Sequence, residues 1–507
     1  MVFTPHAVWP SEVTSTYPLD VLLWTLQTIL PGDVVQKIVL FVILLCSGAG
    51  MHLLVRSLTA PENHTNFAWQ TAAYFAGVMY MINPFTYSRF MAGQWLVLLG
   101  YALLPFVVRA FFRVVAAPSR RRTAAVAAWS FVIVTVSVHF TGMIALLAAV
   151  FLIVGGVKYR RSWVVARRLV GLMIAAAAAV IILCGYWVVP ALLGGNSVGQ
   201  LVTGVDDTQF AAFATSGGVL GPLGDVVRLQ GFWAEARQLF VLPQTVVPLW
   251  GVVVLLLWLL IAVGMVYAWR QRREVAVVMV TCGVIGILLA TTPILQGLSA
   301  SLPILGGYRE PHKFVALLAV AYAVLGAFGV AFVLQKWTRY RKILAAGCLA
   351  LPLVITPTMF WGFGGQLAPR AYPDEWHVMN DRLKKNLTSE DSVLFLPWHM
   401  YAPFSFSDGR IIANPAEKFF QVPVVQSDDP EFEDVPPNVP NATKQSVAEL
   451  LDNPNNVAAT LLELNISYVL LAKEQEWTDY KFLDTGAGLQ LVYEDEKLKL
   501  YKVEEQK

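Results

Sequence analysis

The feature that most constrains this chain is a succession of long apolar runs. Ten can be read: 34–55, 67–82, 95–115, 124–138, 141–157, 169–189, 246–269, 275–292, 314–334 and 343–361. No Asp or Glu lies within any of them. Runs of roughly 20 apolar residues match the thickness of a bilayer core. Lipid offers the backbone no hydrogen-bond partner, so such runs must be helical. The second, fourth and fifth are short, and the fourth and fifth together read as a tight hairpin. The fold class expected is a polytopic α-helical membrane bundle of about ten helices, followed by an α/β domain.

Charge divides the chain at the same place. Residues 366–507 hold 13 Lys and Arg against 24 Asp and Glu, a net of −11, while 1–365 hold 24 against 10, a net of +14. The bases of the first part flank membrane runs, which suits anionic lipid and argues against nucleic acid. They also alternate. Arg120–Arg122, then Lys158 to Arg168, Arg270–Arg273 and Lys336–Lys342 crowd every second loop, and the intervening loops keep only Arg89, Arg228, Arg237, Arg309 and Lys313. The crowded loops are expected to be cytoplasmic. The segment 1–33 and the C-terminal domain, 366–507, are then extracytoplasmic. With no preceding span to deliver segment 1–33, one more helix upstream of Met1 is expected.

The chain therefore divides into 1–33, with an apolar stretch 18–30 that reads as an interfacial helix; a bundle, 34–365, with a long external loop 190–245; and the domain 366–507. That loop holds Asp206, Asp207, Asp225, Arg228, Glu235 and Arg237, and long loops within a compact structure are usually functional. In the last domain, 392–397 and 467–472 read as buried strands, 444–451 and 456–464 as helices, and 490–494 with 498–503 as a hairpin. The acidic, Pro-rich stretch 427–440 reads as a loop.

No phosphate-binding glycine loop and no zinc-helix motif occurs in its required context. The cysteines Cys46, Cys184, Cys282 and Cys348 all lie in apolar runs without metal-ligand spacing. No cofactor is assigned, and a divalent metal stays an option. The most informative short stretch is Tyr308-Arg-Glu-Pro-His-Lys313, where Arg309, His312 and Lys313 stand at the entry of a span. Charge there is expensive and usually functional. Arg suits a bidentate grip on phosphate and Lys adds a point charge; an interfacial anchor is the plainer alternative. Arg89 is the lone charge of an aromatic loop and joins these as a candidate anion ligand. Glu12 and Asp20, and less so Asp33, are the acids before the first run, and one could act as general base. His139 at a turn is read as a hydrogen-bonded turn residue.

Several stretches carry a family resemblance. Asn83-Pro-Phe, Gly93-Gln94 and Tyr101-Ala-Leu-Leu-Pro105 resemble multi-pass glycosyltransferases of the GT-C class. Tyr308-Arg-Glu-Pro-His-Lys-Phe314 resembles the Arg-x-x-His-Lys-Phe stretch of the cell-wall arabinofuranosyltransferases. Leu464-Asn-Ile-Ser-Tyr-Val-Leu470 and Leu498-Lys-Leu-Tyr-Lys-Val503 are similar to the ends of related large membrane proteins, including the YfhO-like group. The resemblance implies a sugar donor on a polyprenyl phosphate, a glycan or glycolipid acceptor at the outer face, and a catalytic Asp or Glu in the first external loop. That acid lies either upstream of Met1 or at Asp20 or Glu12. Donor phosphate is then expected at Arg309, Lys313, His312 and Arg89. The rival classes are a non-enzymatic envelope assembly protein and a lipid flippase or transporter; the absence of acids within the runs speaks against the latter.

Overall fold

The computed structural model describes residues 13–193, 207–218, 220–299, 301–388, 391–429 and 442–504. Glu12, Asp206 and residues 430–440 of the acidic loop fall outside the described residues. A short helix α1, Tyr17–Gln27, precedes α2, Gly32–Leu58. Then come α3, Phe67–Met81; α4, Pro84–Met91; α5, Trp95–Ala116; α6, Arg120–Val136; α7, Phe140–Lys158; α8, Trp163–Leu183; and α9, Gly185–Leu192. After a loop with short helical turns follow α10, Trp250–Gln271; α11, Arg273–Thr291; α12, Val315–Lys336; and α13, Arg341–Ile355.

Every expected run is helical, but ten crossings are not established. Among the described residues seven helices are long and apolar enough to cross a membrane. The helices α3, α6 and α13 have 15, 17 and 15 residues. The run 169–189 also breaks, because the chain turns at Cys184 before α9. The last run ends early: Pro352 sits near the end of α13, and Pro357 follows, which cannot continue an α-helix.

Burial within the bundle follows composition around each helix. Helix α12 is apolar on all sides and is buried on nearly all of them, against α3, α10 and α11. At the other extreme α8 buries only Leu169, Met173 and Ala176 and exposes Val164, Val170, Ile174 and Ile181, a lipid-facing surface. Packing in lipid relies on close backbone approach at small residues. A Cβ added to Gly264 of α10 would stand 1.8 Å from the Leu325 carbonyl oxygen, and one added to Gly329 of α12 would stand 2.1 Å from that of Leu260. Gly77 of α3 meets the Gly48 carbonyl of α2 in the same way, at 2.8 Å.

The loops sort to two ends. At the basic end Lys158 bonds Glu274 at 3.2 Å, and Tyr159 donates to the Val115 carbonyl at 2.9 Å. At the opposite end the loop at His139, the segment 303–314 and helix α4 gather beneath the C-terminal domain. A linker joins them: Phe363 packs on Tyr87 and Phe90, and Gln366 donates to the Tyr87 hydroxyl at 2.9 Å.

The C-terminal domain is an α/β unit. Strands β1 Ser392–Leu396, β4 Val424–Val425, β5 Ile466–Ala472, β6 Leu489–Glu494 and β7 Leu498–Val503 form one sheet in the order β4-β1-β5-β7-β6. A separate pair is β2 Tyr401–Pro403 with β3 Ile411–Ala413. Strand β1 lies parallel to β4 and β5; β5–β7 and β7–β6 are antiparallel. The unbroken apolar run of β1 has a simple cause. Val393 and Phe395 enter a core with Trp376, Phe404, Phe419 and Phe420, while Leu394 and Leu396 enter one on the other face with Val447, Leu461 and Tyr501.

Candidate functional site

The site begins with how α4 is held. Asn83 caps it, its side-chain oxygen accepting from the Thr86 N–H at 3.0 Å. Its amide nitrogen donates to the Tyr80 carbonyl at 2.8 Å and the Tyr101 hydroxyl at 3.1 Å. Tyr80 and Tyr101 stack with centroids 4.0 Å apart, each donating its hydroxyl to the other's carbonyl at 2.8 Å. Pro84 occupies the first turn, where a missing N–H costs nothing. At the far end Gly93, with φ of 69°, turns the chain so that Gln94 points back. The short motifs of this region thus fix α4 and present Arg89 and Gln94.

Arg89 is fully buried. One Nη pairs with the Glu310 carboxylate and also donates to Gln94 Oε1 at 2.5 Å. The other Nη donates to His312 Nδ1 at 2.7 Å. The guanidinium lies 4.2 Å from the Phe232 ring centroid and 5.2 Å from that of Phe85. Since His312 Nδ1 accepts, the ring is neutral and its proton sits on Nε2, which donates to the Gln230 carbonyl at 3.0 Å. Lys313 reaches Glu310 at 3.2 Å and His139 Nε2 at 3.2 Å. His139 therefore donates through Nδ1 to the Gly307 carbonyl at 3.1 Å, and burial with Lys313 nearby holds it neutral, well below its usual pKa. Two basic side chains thus share one carboxylate in a buried network, where a charge left unpaired is penalised severely.

The segment entering α12 differs from a plain helix start. Pro311–Phe314 is a tight 3-10 turn in which the Lys313 N–H bonds the Glu310 carbonyl at 3.3 Å. It sets Glu310, His312 and Lys313 inward, while Arg309 faces elsewhere. Arg309 is partly exposed, 5.2 Å from the Phe213 ring centroid, and near enough to Tyr401 of the C-terminal domain to feel its hydroxyl. Of the four expected anion ligands, Arg89, His312 and Lys313 come together; Arg309 stands outside them, toward the domain.

The acids separate likewise. Asp20 lies on α1, accepts from the Thr16 hydroxyl at 2.7 Å, and is pushed above the ordinary carboxylate range by burial, with Thr16 and then Lys418 of the C-terminal domain opposing. Asp33 is exposed and paired with Lys37 at 2.8 Å. Glu12 lies outside the described residues. Among the described residues no three His, Cys, Asp or Glu side chains gather so as to hold a metal ion.

Sequence reading named Glu235 only as part of a charged loop. The loop packs down onto the bundle, Trp258 and Tyr322 both donating to the Val227 carbonyl at 3.0 Å. Glu235 is thereby buried, and its carboxylate accepts the Gly231 N–H at 2.9 Å. Burial pushes it up to about 8, with the Gly231 bond opposing and the neighbouring Asp225 adding to the rise. Buried nearby, Arg89 Nε, Gln230 Oε1 and Thr215 Oγ1 have no hydrogen-bond partner among the described residues. The signal in the sequence is a single acid within an apolar stretch, Gly231-Phe-Trp-Ala-Glu235.

Against solved structures the likeness is extensive. The cryo-EM structure of arabinofuranosyltransferase AftD from Mycobacteria matches with a TM-score of 0.59 and 16% identity, over 96% of this chain and 35% of that one. A mutant of the same enzyme matches with a TM-score of 0.59 and 16% identity, over 97% and 36%. This chain has the AftD fold over nearly its whole length. It spans about a third of the length of those chains. No family model matches the sequence, and no curated protein matches it. The bundle and the C-terminal α/β unit are thus a multi-pass membrane architecture found in a GT-C glycosyltransferase.

Proposed function

We propose that this protein is a membrane glycosyltransferase that moves a sugar from a polyprenyl-phosphate donor onto a glycan or glycolipid acceptor of the cell envelope, at the outer face. The observation that carries this reading is Arg309, a partly exposed guanidinium at the domain end, backed by the buried network of Arg89, Glu310, His312 and Lys313. Arg309 receives the donor phosphate, and the buried residues hold its segment rigid. The acceptor hydroxyl oxygen attacks the anomeric carbon as the bond from that carbon to the phosphate oxygen breaks. Asp20, its basicity raised by burial, takes the hydroxyl proton. Arg309 stabilises the charge that gathers on the departing phosphate. Glu12 is the alternative base, and a divalent metal could share the phosphate charge.

The test supplies the purified full chain with radiolabelled polyprenyl-phosphate sugars and acceptor membranes. Transfer from at least one donor is expected; no transfer from any of them rejects the reading. Arg309→Ala should weaken donor binding about ten- to a hundredfold, since bonds to a charged group contribute roughly 1.5–3 kcal/mol. Arg309→Lys should restore only part, because the planar fork is lost. Asp20→Asn should lower kcat with donor affinity kept, and full turnover in that variant would move the base elsewhere.

A further inference from the structure

The basic end of the bundle contains a second feature, unconnected with the site above. A cavity of about 440 Å³ is lined by Arg113, Lys158, Arg272, Arg273, Glu274 and the edge of Phe112, with Ser57 and Gln271 adding polar groups. We propose that it binds the headgroup of an anionic phospholipid from the leaflet at that end.

Loop bases alone do not require a shared recess. Here they converge from three distant parts of the chain: Arg113 from the end of α5, Lys158 from the end of α7, and Arg272 and Arg273 from the turn between α10 and α11. Four cations face one carboxylate, a net of +3 in one concavity. The carboxylate, Glu274, is engaged by Lys158 at 3.2 Å, and Arg273 lies over the Trp269 ring at 4.6 Å from its centroid. Arg113 and Arg272 are both exposed at the rim. The α11 amino end also lies in the wall, where free N–H groups favour an anion. The volume falls within the range of small-molecule sites, about 300–1,000 Å³.

A lipid rather than a soluble anion is indicated by what surrounds the recess. The turns of α7 leading to Lys158 expose Ile153 and Val157, and the last turns of α10 expose Val266 and Trp269. A phosphate held by the arginines would thus have apolar side chains beside it, on which acyl chains can lie. Basic recesses between helix ends are suited to such headgroups.

The experiment is native mass spectrometry of the full chain in detergent, titrated with phosphatidylglycerol or phosphatidylcholine, with and without inorganic phosphate. The parent should retain phosphatidylglycerol at least tenfold better than phosphatidylcholine. Arg113→Gln combined with Arg272→Gln should lose most of that preference at an unchanged melting temperature. Arg160→Gln with Arg161→Gln, from a basic turn outside the recess, should keep it. Equal retention of both lipids, or equal loss in the two double variants, overturns the proposal. So does full displacement by millimolar phosphate, which would make the recess a soluble-anion site. Should the first double variant melt early, Arg272→Lys, which keeps the charge, must restore retention.

Discussion

At the scale of single residues, the central fact is that one carboxylate, Glu310, pairs with two buried basic side chains, Arg89 and Lys313. Removing one partner of such a group leaves charge without compensation, at a cost of about 3–5 kcal/mol. Glu310→Ala should therefore lower the melting temperature of the detergent-solubilised protein sharply, and Glu310→Gln, which keeps hydrogen-bonding capacity, less so. Equal melting of parent and alanine variant would show the network to be dispensable. Glu235 gives a pH prediction. Its folded pKa, about 8, lies above the ordinary 4.5. The unfolded chain therefore ionises first as pH rises, and this residue subtracts stability progressively between about 4.5 and 8, with no further loss above. Glu235→Gln should flatten that part of the melting-temperature profile; an unchanged slope would place the titration elsewhere.

At the scale of elements, helix α4 and the α10–α12 contact are each held by particular residues. The Asn83 cap satisfies one helical N–H and ties α4 to both tyrosines. Asn83→Ala should cost about 0.5–2 kcal/mol for the cap alone, and should release Arg89 from its fixed position, read as early proteolysis near α4. The α10–α12 contact leaves no room for a methyl group at Gly264 or Gly329. Gly264→Ala should force the helices apart, costing about 1–3 kcal/mol or more, whereas Gly171→Ala, with open space around it, should change the melting temperature little.

For the molecule as a whole, alternate loops gather at opposite ends, one basic and one bearing the C-terminal domain. If the basic end is cytoplasmic, an impermeant maleimide added to intact cells should label a cysteine introduced by Lys497→Cys in the C-terminal domain. It should not label one introduced by Arg161→Cys in a basic loop. The reverse pattern would invert the assigned orientation. Tyr401 near Arg309 and Lys418 near Asp20 belong to the same domain, so it faces both proposed functional residues.

The sequence alone determined the helical membrane bundle, because apolar runs in lipid have one way to satisfy their backbone. It also determined β1, β5, β6 and β7 of the last domain, though not the two- and three-residue strands β2, β3 and β4, which are too short to show a period; the run at 392–396 is apolar throughout because the strand is covered on both faces. It marked the stretch 308–313 through charges placed where they are costly. It did not reveal that Arg309 would part from Arg89, His312 and Lys313, since Arg309 ends one 3-10 turn, Pro303–Tyr308, while His312 and Lys313 lie in the next. Nor did it single out Glu235. The burial of that carboxylate arises only when a long loop folds down on helices remote in the chain, and no local pattern encodes that. The number of crossings was not settled by the sequence for a related reason: apolar length indicates a helix, but whether a 15-residue helix such as α3 spans lipid depends on the neighbours that enclose it. Local periodicity and composition act over a few residues, whereas desolvation and ion pairing are set by the tertiary contacts.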